Sequence, residues 1–251
     1  VDLSAYRGRG FPGDIDHAIA TTPVAGLDLV QARGQLRLAR ETEPLLYAFP
    51  PPPLRYEPGA RPALERVVAG LPAGGGRAFA RAANRWVHEH VTHPHHLPER
   101  TPPDRALIEE EIIGSGAGWC NEQARVLVAL AAVRGVTGRL CFAVHANLRC
   151  GHTAAELFVD GGWAFFDPTF AVSVELADGR LAEARELAGA ARAAADRAYR
   201  EPLAAYYGRC RPHVEEFPGW RAADRPAVDE GGLLYTHLGF TDYLVTGARA
   251  S

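Results

Sequence analysis

The stretch Gly114-Ser-Gly-Ala-Gly-Trp-Cys-Asn-Glu-Gln-Ala124 decides how the rest of this 251-residue chain is read. Three glycines lead up to a cysteine, and the cysteine opens a strongly apolar run from Ala124 to Val133. Glycine permits close backbone approach and unusual φ values, which predicts Cys120 at a helix N-terminus with little shielding. There the helix dipole and the unpaired N–H groups favour a thiolate over a thiol. Residues 126–133 are apolar almost all round, so the helix is expected to be buried on most faces and to end at Gly135. A buried helix with a cysteine at its start is a rigid mount for a nucleophile.

Downstream, the segment from Arg139 to Leu148 reads as a strand, with Leu140, Phe142, Val144, Ala146 and Leu148 on one face. His152 to Val159 is a second strand, Asp160-Gly161-Gly162 a hairpin turn, and Trp163 to Asp167 a third strand. A turn centred on Asp160 and Gly161 pairs residue 152 near residue 169. Asp167 is then a diagonal neighbour of His152 on the same face, within reach of its imidazole. Cysteine, histidine and aspartate in that order are the parts of a thiol acyl-transfer site. Each also has an ordinary reading: a core cysteine, a structural strand histidine, an aspartate capping the turn before Pro168. His145, near the same sheet, is an alternative base.

Gly-Trp-Cys120 ahead of a helix, His152-Thr-Ala-Ala-Glu156 opening a strand, and Gly162-Trp163 followed by Asp167-Pro168-Thr169 resemble the transglutaminase-like superfamily. The spacings are 152 − 120 = 32 and 167 − 152 = 15 residues. The resemblance covers about residues 76–170, including the helix that carries Trp86 and Val87. It implies an α+β fold with a papain-like core, the catalytic helix packed on an antiparallel sheet. It also implies Cys120 as nucleophile, His152 as general base and acid, and Asp167 as the group that orients the imidazole. The Cys120 N–H would be one oxyanion donor. Asn84, Trp86 and His88 are candidates by position for the second, and Trp119 and Trp163 are further cleft or core candidates.

The implied partners are an acyl donor (amide, ester or carrier-bound thioester) and an acceptor. An amine acceptor makes an acyltransferase or amide synthase, the leading reading; water makes a peptidase or amidase. A non-catalytic binding scaffold on the same fold is the reading from another class. No cofactor is expected, and no acidic loop supports the calcium dependence of some members of the superfamily.

Composition bounds these readings. Hydrophobic residues make up 47% and charged residues 23%, the balance of a globular protein. A net charge of −3 argues against a nucleic-acid partner. No apolar run approaches the ~20 residues of a membrane span, and the first residues lack a signal-peptide layout, so a cytoplasmic protein is expected. All 27 basic residues are arginine. Composition bias accounts for that; alternatively, an enzyme joining acyl groups to amines is spared self-modification. The four cysteines form no CxxC pair and are read as reduced, Cys120 alone being special.

Residues 1–60, with short strand patterns at 27–30 and 35–39 and a proline break at 49–53, are read as an extension packed on a catalytic domain of residues 61–251. Helical patterns follow from Pro62 to Leu71 and from Gly76 to Val91. The second ends in five histidines within nine residues, His88 to His96. His88 and His90 face differently and Pro94 breaks the spacing beyond them, so a solvated polar loop bordering the cleft is expected rather than a metal site. Leu181 to Tyr207 reads as helix, kinked or split by Pro202. The aromatic tail (Trp220, Tyr235, Phe240, Tyr243) is expected to form loops and short elements.

Overall fold

The computed structural model describes residues 35–37, 43–48, 50–51, 54–97, 107–145, 150–187, 189–209 and 233–236. The helices are α1 (Glu43–Tyr47), α2 (Pro62–Ala69), α3 (Arg77–His90), α4 (Glu109–Ser115), α5 (Cys120–Val133) and α6 (Arg192–Arg209). The strands are β1 (Gln35–Arg37), β2 (Gly138–His145), β3 (Cys150–Val159), β4 (Gly162–Asp167), β5 (Val172–Ser173) and β6 (Leu233–Thr236). The strands form one antiparallel sheet in the order β1-β6-β2-β3-β4-β5. The fold is α+β.

Period-two alternation divides the sheet between two cores. Leu140, Ala155, Leu157 and Phe166 face α5 and the helices around it, meeting Leu64, Phe79, Val87 and Ile112. Their neighbours Cys141, Ala154 and Phe165 face the other way, onto Tyr199, Leu203 and Tyr206 of α6. Helix α5 is enclosed as its composition predicts, with every residue from Glu122 to Ala132 buried. It lies so close on β2 that a Cβ at Gly138 would come within 2.8 Å of Leu157 and 2.9 Å of Val128.

The β3–β4 hairpin turns on Asp160 and Gly161, both at positive φ (53° and 85°), the signature of a two-residue type I′ turn. Its register runs from Val159↔Gly162 to Ala155↔Phe166. Extended by three residues, that register sets 152 opposite 169.

The C-terminal helix departs from the sequence expectation. It begins at Arg192, not Leu181, and continues through Pro202 without splitting. Residues 172–182 instead follow the sheet, Ala182 N–H donating to Val174 O and Phe165 N–H donating to Ala182 O, and residues 184–186 make a single 3-10 turn. Hydrogen bonds to β4 thus override the helical propensity of this alanine-rich segment. Tyr235 lies in β6, whereas Trp220, Phe240, Tyr243 and Cys210 fall outside the described residues, as does the strand pattern at 27–30.

A buried ion pair braces the α6 face. Arg139 and Glu156 are directly opposed across β2 and β3, with Arg139 Nη2 2.6 Å from Glu156 Oε2. Glu156 also accepts from Tyr47 OH (3.0 Å) and from Ala184 N–H (2.6 Å). The guanidinium lies 4.0 Å from the ring centre of Trp163 and 4.5 Å from that of Tyr47, a cation–π stack on both. Trp163 is therefore part of the sheet's packing against Arg139.

Candidate active site

The glycine run before α5 carries two separate functions. Gly116 ends α4 in the left-handed conformation (φ 68°), a turn that favours glycine. Gly118 is a close approach: a Cβ there would come within 2.8 Å of Glu122 Cβ and 3.2 Å of Val91 Cγ1. Between them, Thr92 bonds the run on both sides, its N–H to Gly116 O (2.8 Å) and its carbonyl from Gly118 N–H (3.1 Å). This parallel bridge between Thr92 and Ala117 lays the histidine-rich segment alongside the chain leading to Cys120.

Trp119 caps α5, its N–H donating to Glu122 Oε2 at 3.1 Å, and Cys120 is the first helical residue. Its own N–H is among the first-turn donors that have no acceptor within a helix. The thiol is less open than the glycine approach predicts, with Cys120 only 6% exposed. Glycine gives the backbone room, but the Thr92 bridge uses that room to bring another segment down on it.

His152 and Asp167 sit on the α6 face of the hairpin. His152 Nε2 is 2.7 Å from Asp167 Oδ2, and Asp167 is fully buried. The same Oδ2 accepts from Tyr199 OH at 2.6 Å, while Oδ1 accepts from Thr169 N–H at 3.0 Å. Burial pulls the His152 pKa down. The charge and hydrogen bond of Asp167, followed by the electrostatic influence of nearby Cys120, outweigh it and push the pKa up to about 10. Burial and the adjacent carboxylate both push Tyr199 well above its ordinary value, so it remains a neutral donor.

Nothing in the local sequence singles out Tyr199: it stands 32 residues beyond Asp167 on a helix whose docking is a tertiary matter. Its hydroxyl draws charge from the oxygen that holds the imidazole. Tyr199→Phe is therefore expected to raise the His152 pKa further, by up to about one pH unit, the equivalent of one hydrogen bond. The alkaline limb of a Cys120 acylation profile reads this. An unmoved limb would reduce Tyr199 to packing.

The segment after Asp167 is tied to both helices in front of it. Thr169 Oγ1 donates to Gln123 Oε1 (2.7 Å), and Gln123 Nε2 donates to Val91 O (2.6 Å). Gln123, one turn past Cys120, thus couples the helix that opens with Cys120 to the hairpin that carries His152 and Asp167. His88 Nδ1–H donates to Thr169 O (3.0 Å), and Asn84 Nδ2 donates to Val172 O (3.2 Å). Both side chains spend a donor on holding this segment. Trp86 stacks on His90, with ring centres 4.3 Å apart. The side chain of His145 is outside the described residues, and Cys141 is a buried thiol on the α6 face.

The histidine cluster is not a solvated loop: His93 is 4% and His95 8% exposed. After Pro94 the chain makes one 3-10 turn that folds these rings under α6, where Tyr206 OH lies 2.7 Å from His95 Nδ1 and 3.0 Å from His93 Nδ1. His96 Nε2–H donates to Tyr206 O (3.2 Å). Trp119 presents its ring edge-on to His93 at 5.2 Å and to His95 at 5.3 Å. Phe170 links the cluster to the His152–Asp167 pair, 5.2 Å from Tyr206 and 5.4 Å from His152. Among the described residues no group of three or more His, Cys, Asp and Glu is arranged to hold a metal ion, and no described helix is long and apolar enough to cross a membrane.

Residues 64–168 match the family described as the transglutaminase-like superfamily. A solved structure of a candidate cysteine protease from Cytophaga hutchinsonii is similar at 20% identity and a TM-score of 0.36, over 54% of this chain and 44% of that one. The chain thus spans less than half the length of that protein. No curated protein sequence matches. Tyr199 and Tyr206 lie beyond the matched segment.

Proposed function

The core of this chain, residues 64–168, belongs to the transglutaminase-like superfamily, and on that footing we propose that the protein is a cysteine acyltransferase acting through a thioester at Cys120. The observation that carries this reading is the buried His152–Asp167 pair, whose imidazole lies close enough to Cys120, at the start of α5, for the two to influence each other electrostatically. With Nε2 on the carboxylate, a proton taken from the thiol would go to Nδ1.

Chemistry follows from that arrangement. His152 takes the Cys120 proton, and the sulfur attacks the donor's carbonyl carbon, whose π pair moves to oxygen. The tetrahedral intermediate collapses, the bond to the leaving group breaks, and the imidazolium delivers the proton to it. An amine then attacks the thioester, loses a proton to His152, and expels Cys120 as thiolate. Asp167 holds the ring and stabilises the imidazolium. Because His152 acts as acid from its protonated form, the rate is expected to fall as pH rises through about 10. The ion pair's contribution to stability runs the same way. It is complete below the ordinary histidine pKa near ~6.5 and is lost through about 10.

Burial favours an amine over water as acceptor. Cys120 and His152 are 6% and 7% exposed, so a thioester formed here is screened from solvent. The test loads the full chain with p-nitrophenyl acetate and offers a series of primary amines. Acetyl-Cys120 seen by intact mass, discharged faster by amine than by water, supports the transferase. Discharge indifferent to amine makes it a hydrolase, and no acyl-enzyme at all removes the enzyme reading.

A further inference from the structure

Oxyanion stabilisation needs two donors, and α5 supplies one, the Cys120 N–H. We propose that His93 is the second, presenting its Nε2–H to the oxygen of the tetrahedral intermediate; this rests on Cys120 being the nucleophile.

The hydrogen bonds around His93 leave one tautomer. The His95 backbone N–H donates to His93 Nδ1 at 3.3 Å, and a backbone amide can only donate. Nδ1 is therefore bare and the ring proton is on Nε2. Tyr206 OH, 3.0 Å from the same Nδ1, must then also donate to it. Having spent its proton, Tyr206 accepts from His95 Nδ1–H at 2.7 Å. The result is a directed chain, His95 to Tyr206 to His93, that ends with an N–H on the far side of the His93 ring. Among the described residues nothing accepts from that N–H.

Position and charge state both suit the role. Thr92 is bridged to Ala117 in parallel, so His93 runs beside the step from Gly118 to Cys120, and its ring packs on Trp119. It is also close enough to His152 for their charges to interact. Burial, then the charges of His95, His96 and His152, hold its pKa well below the ordinary value. A neutral imidazole beside a protonated one polarises a carbonyl without adding a second cation, and it cannot compete with His152 as the acid. Asn84 and His88, the candidates nearer in sequence to the helix pattern, each spend a donor on the segment after Asp167.

Two reagents separate this role from packing. Iodoacetamide consumes the thiolate but builds no oxyanion, whereas p-nitrophenyl acetate needs both. In His93→Leu, acylation of Cys120 by the ester is expected to fall ~10²–10³-fold, with alkylation within about twofold of wild type. His93→Gln restores an N–H donor and is expected to recover part of the ester rate. Tyr206→Phe, which frees the tautomer, is expected to lower the ester rate alone, by a smaller factor. If His93→Leu does not fold, the last two variants decide. Equal losses with both reagents, or an unchanged ester rate, would overturn the proposal. A wild-type Cys120 no faster than an ordinary thiol towards either reagent would instead overturn the triad, and His93's role with it.

Discussion

Asp167→Asn is expected to slow acylation of Cys120 by about 10³–10⁴-fold while the chain remains folded. The effect follows from charge more than from shape. Asp167 supplies the two largest upward influences on His152, by charge and by hydrogen bond, against a burial that pulls the other way. An amide keeps the outline but loses the charge. Burial then prevails, and His152 becomes neutral in the range where the carboxylate had kept it cationic. The amide also cannot satisfy its surroundings. Three donors converge on the two carboxylate oxygens, from His152, Tyr199 and Thr169, so an NH₂ in either orientation faces at least one of them. The measurement is the pH profile of ester acylation and of iodoacetamide alkylation. The wild-type alkaline limb near 10 should collapse to far lower pH, and alkylation near pH 6 should slow. A profile that keeps its limb would exclude Asp167 as the partner.

Cys120→Ser is expected to remove acyl transfer almost completely, by roughly 10⁵–10⁶-fold, the scale found when a nucleophile alone is deleted. Serine's hydroxyl fits the same space, but an alcohol is a far weaker acid than a thiol and a poorer nucleophile under the same partners. Intact mass after ester treatment and a thermal melt are the readouts, with no adduct at an unchanged melting temperature expected. Activity that survived would point to another thiol. Cys141, also buried, is a poor substitute, because burial and the charge of Glu156 push its pKa well up. A cellular function that persisted in Cys120→Ser would favour a binding scaffold over an enzyme.

Sequence alone determined what depends on local geometry. Two residues able to adopt positive φ, Asp160 and Gly161, set a two-residue turn. Because side chains alternate along a strand, that turn put His152 and Asp167 on one face of the hairpin. The glycine run and the apolar stretch after it likewise marked where α5 starts and that it is buried. Both are rules over a few neighbouring residues.

Only the tertiary structure decided what lies opposite those residues. Helix α6 covers the His152–Asp167 pair, delivering Tyr199 to Asp167 and Tyr206 to His93 and His95, across 32, 113 and 111 residues. No periodicity in an alanine- and arginine-rich helix says which face of which sheet it will meet. The histidine cluster shows the same limit. Its spacing around Pro94 reads as an exposed loop, because histidine is polar and proline breaks the helix. Burying His93 and His95 is tolerable only once Tyr206 arrives to satisfy their ring nitrogens. Chain direction and strand alternation are local and travel with the sequence, whereas the partner that makes a buried polar group affordable comes from far along it, and packing alone selects it.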